Sequence, residues 1–555
     1  MAVQISTIPT QTAGRTVAET IVAQLALWGV QYVFGVQGRS ILGLTDALRR
    51  QDAIQYIQTR HEEAAALMAS AYAKLTGRLG VCAAPSGPGV TNLLTGLLDA
   101  QADSAPVLAL CGQEGRPSFG RGGYQAIDQH ALLETSSRFN HNVVDPEATP
   151  RLLALACKAA LERPGVARLG IPGDLERIAV KAPLIGPTGH LIQERWAAPP
   201  QRIAEAVEML AGAQRPVILA GRGAVHCREA VIRCAEIFDA PIVTTCPGKA
   251  VVPFEYEHTV GVVGRFGIPI ADDLVRRSDV LLVIGSSLSE NTTRGWNLIP
   301  DATRIVQIDH NPWHVGRNYA VAVPLIGDSF LTLEHINQTA MPVNHPDYHQ
   351  EVANQKRDWI ARSAQRATSD AIPILPERVI YELGKACASD AIITVDVGDH
   401  AVFYCQYFPV RNQTTLMSSH MGVMGFSVPA ASAAKLACPN RQVIALCGDG
   451  GFSSIMGEFL TACQYHLPVA VVLLNNNELG MTLTEQTHDQ FQPAGFFTSL
   501  AGCNFAAFAH ACGALGLRVT RPEEILPALE RAFAADVPSL VQIDIDPGER
   551  PSFAD

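Results

Sequence analysis

Asp449 and Asn476 are hard oxygen donors that stand 27 residues apart, each just beyond an apolar segment. RQVIALC runs into Gly448-Asp449-Gly450-Gly451, and PVAVVLLN runs into further asparagines. Short apolar runs bounded by turn residues read as buried parallel strands, and the carboxyl ends of such strands are where open α/β sheets bind ligands. The separation is that of one strand–helix–strand unit, which brings the two strand ends side by side. A carboxylate and an amide oxygen suit Mg2+, which keeps other positions for water and phosphate oxygens. Gly448, Gly450 and Gly451 let backbone N–H groups approach an anion where a helix begins. Either motif alone is ordinary turn chemistry. Together they describe a diphosphate held through a metal.

The surrounding chain has the elements to position such a site. At 555 residues it is too long for one hydrophobic core. Three blocks alternate strand and helix patterns, as doubly wound α/β folds do. The first, residues 1–190, contains YVFGV, LGVCAAP and PVLALCG between helical stretches such as EEAAALMASAYAKLTG. The second, 191–345, contains PVILAG, PIVTT, VLLVIG and RIVQID. The third, 366–555, contains AIITVDVG, RQVIALCGDG, PVAVVLLNN and SLVQIDI. Their similar size suggests three copies of one architecture. The polar stretch around QTAMPVNHPDYHQ reads as a linker. A net charge of −11 without a basic run argues against a nucleic-acid partner. No stretch of 18 or more apolar residues marks a membrane span. Thirteen scattered cysteines, with no secretory signal at the start, indicate reduced, mostly buried thiols and a cytoplasmic location.

The chain resembles the thiamin-diphosphate enzymes, and within them the acetolactate synthase-like branch. The likeness rests on RHEEAAALMASAYAKLTGRLGVCAAPSGPGVTNLLTGLLDA, VDVGDH, GVMGFSVPAA and GDGGF followed by LPVAVVLLNNNELGM, in the family's order over nearly the whole length. It implies an N-terminal pyrimidine-binding domain, a central FAD- or ADP-binding-like domain and a C-terminal diphosphate-binding domain. Thiamin diphosphate and Mg2+ would be the cofactors. Asp449, Asn476 and the backbone carbonyl of Glu478 would hold the metal. Gly398, His400, Gly448, Gly450, Gly451, Gly480 and Met481 would line the cofactor, the Gly422 carbonyl would bind its aminopyrimidine, and Met424 would sit beneath its bend. Asp399 stands where acetolactate synthases usually carry glutamine. An acceptor-only carboxylate would repel phosphate there, so Asp399 is expected to point away or to hold a water.

The family's cofactor-activating glutamate is Glu62 in QTRHEEAAA. It hydrogen-bonds a pyrimidine nitrogen so that the cofactor's own imino group can take the C2 proton. Glu63 is the rival, but on a helix it points about 100° away, so only one of the two can face the ring. Glu62 would serve a cofactor held by a neighbouring subunit, making a homodimer the minimum and a homotetramer common among relatives. At the substrate end the resemblance sets Gly35–Ser40, Ser86–Gly89 and Tyr124-Gln125. Gln125 would hydrogen-bond a substrate oxygen, and Arg39 is either a bidentate carboxylate anchor or a surface charge.

Two departures bear on the second substrate. The family's substrate-selecting tryptophan falls near Glu485, and the lysine of its VPKD segment is Gly173. In the middle block GSSLSENTT replaces the FAD-associated GVRFDDR, which weighs toward a structural remnant and against bound FAD. The leading expectation is decarboxylation of a 2-oxo acid followed by transfer of the enamine to an acceptor. Alternatives keep the cofactor and change the second step: a decarboxylase or lyase, an acetyltransferase, or a carboxyethylarginine-synthase-like enzyme. A non-catalytic binding or regulatory homologue is the remaining class. The intact set of Glu62, Asp449 and Asn476 argues against it.

Overall fold

The computed structural model describes residues 14–192, 194–491 and 493–551. The chain divides into two compact units, Met1–Gln193 and Glu194–Asp555. The first carries a six-stranded parallel sheet in the spatial order Gln55–Gln58, Tyr32–Gly35, Gly80–Ala84, Val107–Gln113, Val166–Pro172 and Phe139–Asn142. Interior strands such as VLALCGQ are buried along their whole length, as expected where helices cover both faces of a parallel sheet. The edge strands QYIQ and FNHN carry no apolar run, because polar side chains are tolerated at a sheet edge.

Two helices of this unit matter for the site. Glu62–Thr76 is capped by the His61 side chain and ended by Gly77 in the left-handed region at φ +68°. Its alanine-rich face meets Pro88–Ala102 so closely that a Cβ on Gly96 would lie 2.6 Å from the Ala66 Cβ. Lys74 joins the pair from inside, 2.7 Å from Asp99 and 2.6 Å from Asp103. All three side chains are buried, so removing Lys74 would leave two buried carboxylates without their cation.

The second unit holds two more six-stranded parallel sheets. One runs Thr259–Val262, Ile242–Thr244, Pro216–Ala220, Val280–Ile284, Arg304–Asp309 and Val323–Ile326. The other runs Thr414–Met417, Ile392–Val395, Val443–Gly448, Ala470–Asn475, Ser539–Asp544 and Leu515–Val519. Three doubly wound α/β sheets are therefore present, but they are not three copies of one arrangement. With each sheet's strands numbered along the chain, the first and third share the order 2-1-3-4-6-5, while the middle sheet is 3-2-1-4-5-6. The latter is the order of dinucleotide-binding folds.

Within this unit the two sheets share apolar packing, with Ala250 and Val262 in one cluster with Ile444, Leu446 and Phe403. The second half of the stretch expected to be a linker is instead the start of a 22-residue helix, Pro346–Ala367. That helix buries little beyond Tyr348, Val352 and Ala367, so its sequence carries a weak apolar stripe. Among the described residues no helix is long and apolar enough to cross a membrane. The thirteen cysteines form no disulfide, and most are buried.

Candidate active site

In the C-terminal sheet, Val443–Gly448 and Ala470–Asn475 are hydrogen-bonded neighbours, so Asp449 and Asn476 emerge at adjacent strand ends. A cavity of about 160 Å3 opens there. Gly398, His400, Met424, Gly448, Asp449, Gly450, Gly451, Asn476, Glu478, Gly480 and Met481, expected from the sequence, all line it. Side chains at two of the glycines have no room. A Cβ on Gly480 would lie 2.4 Å from Asp399 Oδ2, and one on Gly451 would lie 3.0 Å from the Asp396 carboxyl carbon.

The cavity is lined with acidic side chains. Five carboxylates line it, Asp399, Asp449, Glu478, Glu485 and Glu549, and no Lys or Arg among the described residues does. Three are neutralised from outside: Glu478 by Arg550 at 2.7 Å, Glu485 by Arg265 at 2.5 Å, and Glu549 by Arg366. The Glu478 side chain is turned to Arg550. Among the described residues no salt bridge reaches the other two carboxylates. Burial pushes Asp449 up to about 6 against the N–H groups of Gly450 and Asn477. Burial also pushes Asp399 up to about 6, more than the field of Arg550 lowers it. Both Asp399 oxygens are buried without a hydrogen bond. Asp399 thus lines the cavity rather than pointing away from it.

His400 lies against the glycine backbone, its Cε1 2.8 Å from where a Gly398 Cβ would be. Burial lowers its pKa to about 4, although a hydrogen bond to the Asp396 carbonyl opposes this. Its Nε2 is buried and unpartnered. Asp396, which the sequence reading did not single out, ties the site's loops together. Its carboxylate accepts from the N–H groups of Val397 and Gly425 at 2.8 Å and from Ser427 Oγ at 3.0 Å. The loop with Gly422 and Met424 is thereby fixed to the loop with Gly398 and His400. Met424 is no core filler: its side chain is exposed between Gly422 and Gly425, both at positive φ.

In the N-terminal unit Glu62 opens the helix Glu62–Thr76 and is 8% exposed. Its Oε2 accepts from Asn92 Nδ2 at 2.9 Å, and its Oε1 lies 3.2 Å from where a Gly89 Cβ would be. Asn92 was not anticipated, since an asparagine inside a helix carries no local signal for such a partner. Glu63 faces elsewhere, 4.0 Å from the His61 ring. The three substrate-end loops are linked by serines. Ser86 N–H donates to Ser40 Oγ at 2.7 Å, and Ser86 Oγ donates to the Gln125 carbonyl at 2.8 Å. Gln125 stands at φ +63°, a strained region for a residue with a side chain. Arg39 opens a short 3-10 turn and is exposed. Gly173 donates its N–H to the Gln113 carbonyl beside the Ser40 loop.

Three family models match the chain: the N-terminal TPP binding domain of thiamine pyrophosphate enzymes at residues 15–132, their central domain at 203–336, and their C-terminal TPP binding domain at 396–543. The chain belongs to the thiamin-diphosphate enzymes. Their cofactor is the same compound as thiamine pyrophosphate. The chain is 36% identical to the putative thiamine pyrophosphate-containing protein YdaP of Bacillus subtilis, over 96% of this chain and 92% of that protein. It is 32% identical to a probable acetolactate synthase large subunit of Methanocaldococcus jannaschii, over 96% and 92%. It is 31% identical to the acetolactate synthase isozyme 2 large subunit of Escherichia coli, over 95% of each. This thiamin-diphosphate enzyme is therefore of the acetolactate synthase-like kind, and its three sheets correspond to the family's three domains.

Proposed function

We propose that this thiamin-diphosphate enzyme uses Mg2+ to decarboxylate a 2-oxo acid and transfers the remaining fragment to an acceptor, as the names of its acetolactate synthase relatives suggest. The observation that carries the reading is the pair of carboxylates without basic partners in a glycine-lined cavity at adjacent strand ends. A diphosphate alone would be repelled there; Asp449, Asn476 and the Glu478 carbonyl would hold a divalent ion, which would offset that repulsion. Bound thiamin diphosphate supplies a carbon nucleophile and an electron sink. The chain's own residues do the rest. Gly450, Gly451 and Gly480 would admit the phosphates, and His400, whose Nε2 is buried without a partner, would line them. Glu62, held by Asn92, carries the proton for the pyrimidine nitrogen. Gln125 orients a substrate oxygen, and Arg39 anchors the substrate carboxylate.

The acceptor end differs from that of acetolactate synthases. Glu485, near where their tryptophan would stand, is engaged with Arg265 of the central domain, which supports a different acceptor. A screen of 2-oxo acids for CO2 release with Mg2+ and cofactor, followed by product analysis, tests the reading. Release from none of them would overturn it.

Two variants probe particular residues. Arg39→Ala should raise KM for the true 2-oxo acid about tenfold, the loss of one charge-assisted pair, and spare cofactor affinity. Unchanged kinetics would return Arg39 to the role of a surface charge. Asp399→Asn removes a buried negative charge beside the diphosphate and should tighten cofactor binding severalfold by calorimetry. Weaker binding would instead make Asp399 a needed partner of the cation.

We propose a homodimer as the minimum assembly, with Glu62 of one copy serving the cofactor of the other, and a homotetramer as the larger form. The exposed apolar residues Phe119, Tyr124 and Met424 support a covering partner; light scattering that finds a monomer would reject it. Free, buried thiols support a cytoplasmic location. In the central domain the glycine loops at the strand-order switch point pack on each other, Gly223 against Gly285.

A further inference from the structure

A second cluster of metal-binding side chains lies in the second unit, away from the cavity. Asp239 follows the helix Arg228–Phe238 in the left-handed region at φ +46°, which Asp tolerates. His258 precedes the strand Thr259–Val262, and His349 lies in the first turn of the helix Pro346–Ala367. One ligand atom from each of the three lies within 4.8 Å of the others. His349 Nδ1 is 3.0 Å from Asp239 Oδ1, and the two imidazole rings meet edge to face with centroids 5.0 Å apart.

The groups around the cluster hold these ligands in place. Asp239 Oδ2 accepts the His345 N–H at 2.7 Å, so the carboxylate is oriented from its far side. His258 hydrogen-bonds the Ala240 carbonyl, which fixes its ring and leaves its other nitrogen as a donor site. Glu257 adds a second negative charge, 3.8 Å from His258 Nε2. His345, four residues before His349, has a buried Nε2 with no hydrogen bond.

A capping ion pair between Asp239 and His349 accounts for one of these contacts. It leaves unexplained a second imidazole turned against the first. We propose that Asp239, His258 and His349 bind a transition-metal ion of the Zn2+ class, which fastens the helix Pro346–Ala367 to the central sheet. Two nitrogen donors and one oxygen favour such an ion over Mg2+, which prefers an all-oxygen shell. Zn2+ bonds of about 2.0–2.2 Å set tetrahedral ligands roughly 3.4 Å apart, so side-chain rotation must bring the widest pair closer. His349 shifts its proton from Nδ1 to Nε2 on coordination. The fourth position falls to water. The ion would join segments remote in sequence, and the proposal does not depend on the activity of the cofactor site.

The test uses the full chain, stripped with EDTA and reloaded with thiamin diphosphate and excess Mg2+. Calorimetric titration with Zn2+ should find one site per chain, weakened at least tenfold in His349→Ala and in His258→Gln, with cofactor affinity unchanged. Co2+ should give visible bands without the thiolate charge transfer of a cysteine site. Crystals soaked in Zn2+ should show an anomalous peak among the three side chains, a readout that needs no variant to fold. Equal Zn2+ affinity in wild type and both variants, no binding at micromolar Zn2+, or a peak only elsewhere would each overturn the site.

Discussion

Glu62→Gln is expected to lower kcat at least about a hundredfold, on the order of what a positioned proton-transfer group contributes. The substitution keeps size and shape, and the amide can still meet Asn92, 2.9 Å away in the native chain. Folding should survive. A glutamine cannot exchange a proton with the pyrimidine nitrogen, so cofactor activation should fail while cofactor binding persists, because the proposed diphosphate and metal contacts belong to the C-terminal sheet. Glu63→Gln is the control. Its carboxylate lies near His61, not Asn92, and kcat should change little. Steady-state kinetics at saturating cofactor separate the two. A comparable loss in both variants would point to a helix-terminus effect, since each glutamate also favours the positive end of the helix dipole.

Asp449→Ala is expected to weaken Mg2+-dependent binding of thiamin diphosphate by more than about a hundredfold, beyond the 10–100-fold typical of residues that only support a ligand. Asp449 is one of two carboxylates in the cavity without a basic partner. The other, Asp399, should respond with the opposite sign when neutralised. Calorimetry of both variants with Mg2+ and with EDTA checks the contrast. If alanine at 449 leaves affinity intact, Asp449 is not a metal ligand.

The strands that carry the site were legible because their apolar runs end in polar residues with chemical character, as in VIALCGDGG and AVVLLNNN. The edge strands were not, since QYIQ, FNHN and TTLM look like loops when half their surface meets solvent. The interior strand VARLGIP was hidden by Arg168, a fully buried guanidinium that breaks the apolar run. Its charge is accommodated by side-chain oxygens of Asn140, Asn142 and Gln129, which only tertiary structure brings together. Strand order leaves no local trace either, so the difference between the middle sheet and the other two emerged only in three dimensions. At the site the glycines that line the cavity could be named from sequence. Asp396 and Asn92 could not, because each acts by holding other groups in place.

Hydrogen–deuterium exchange at C2 of bound thiamin diphosphate tests most directly whether this chain activates its cofactor through Glu62. Quenched-flow NMR should find fast exchange in the wild type and in Glu63→Gln, and exchange slowed at least about a hundredfold in Glu62→Gln. Exchange that stays fast in Glu62→Gln, with cofactor bound, would contradict the account.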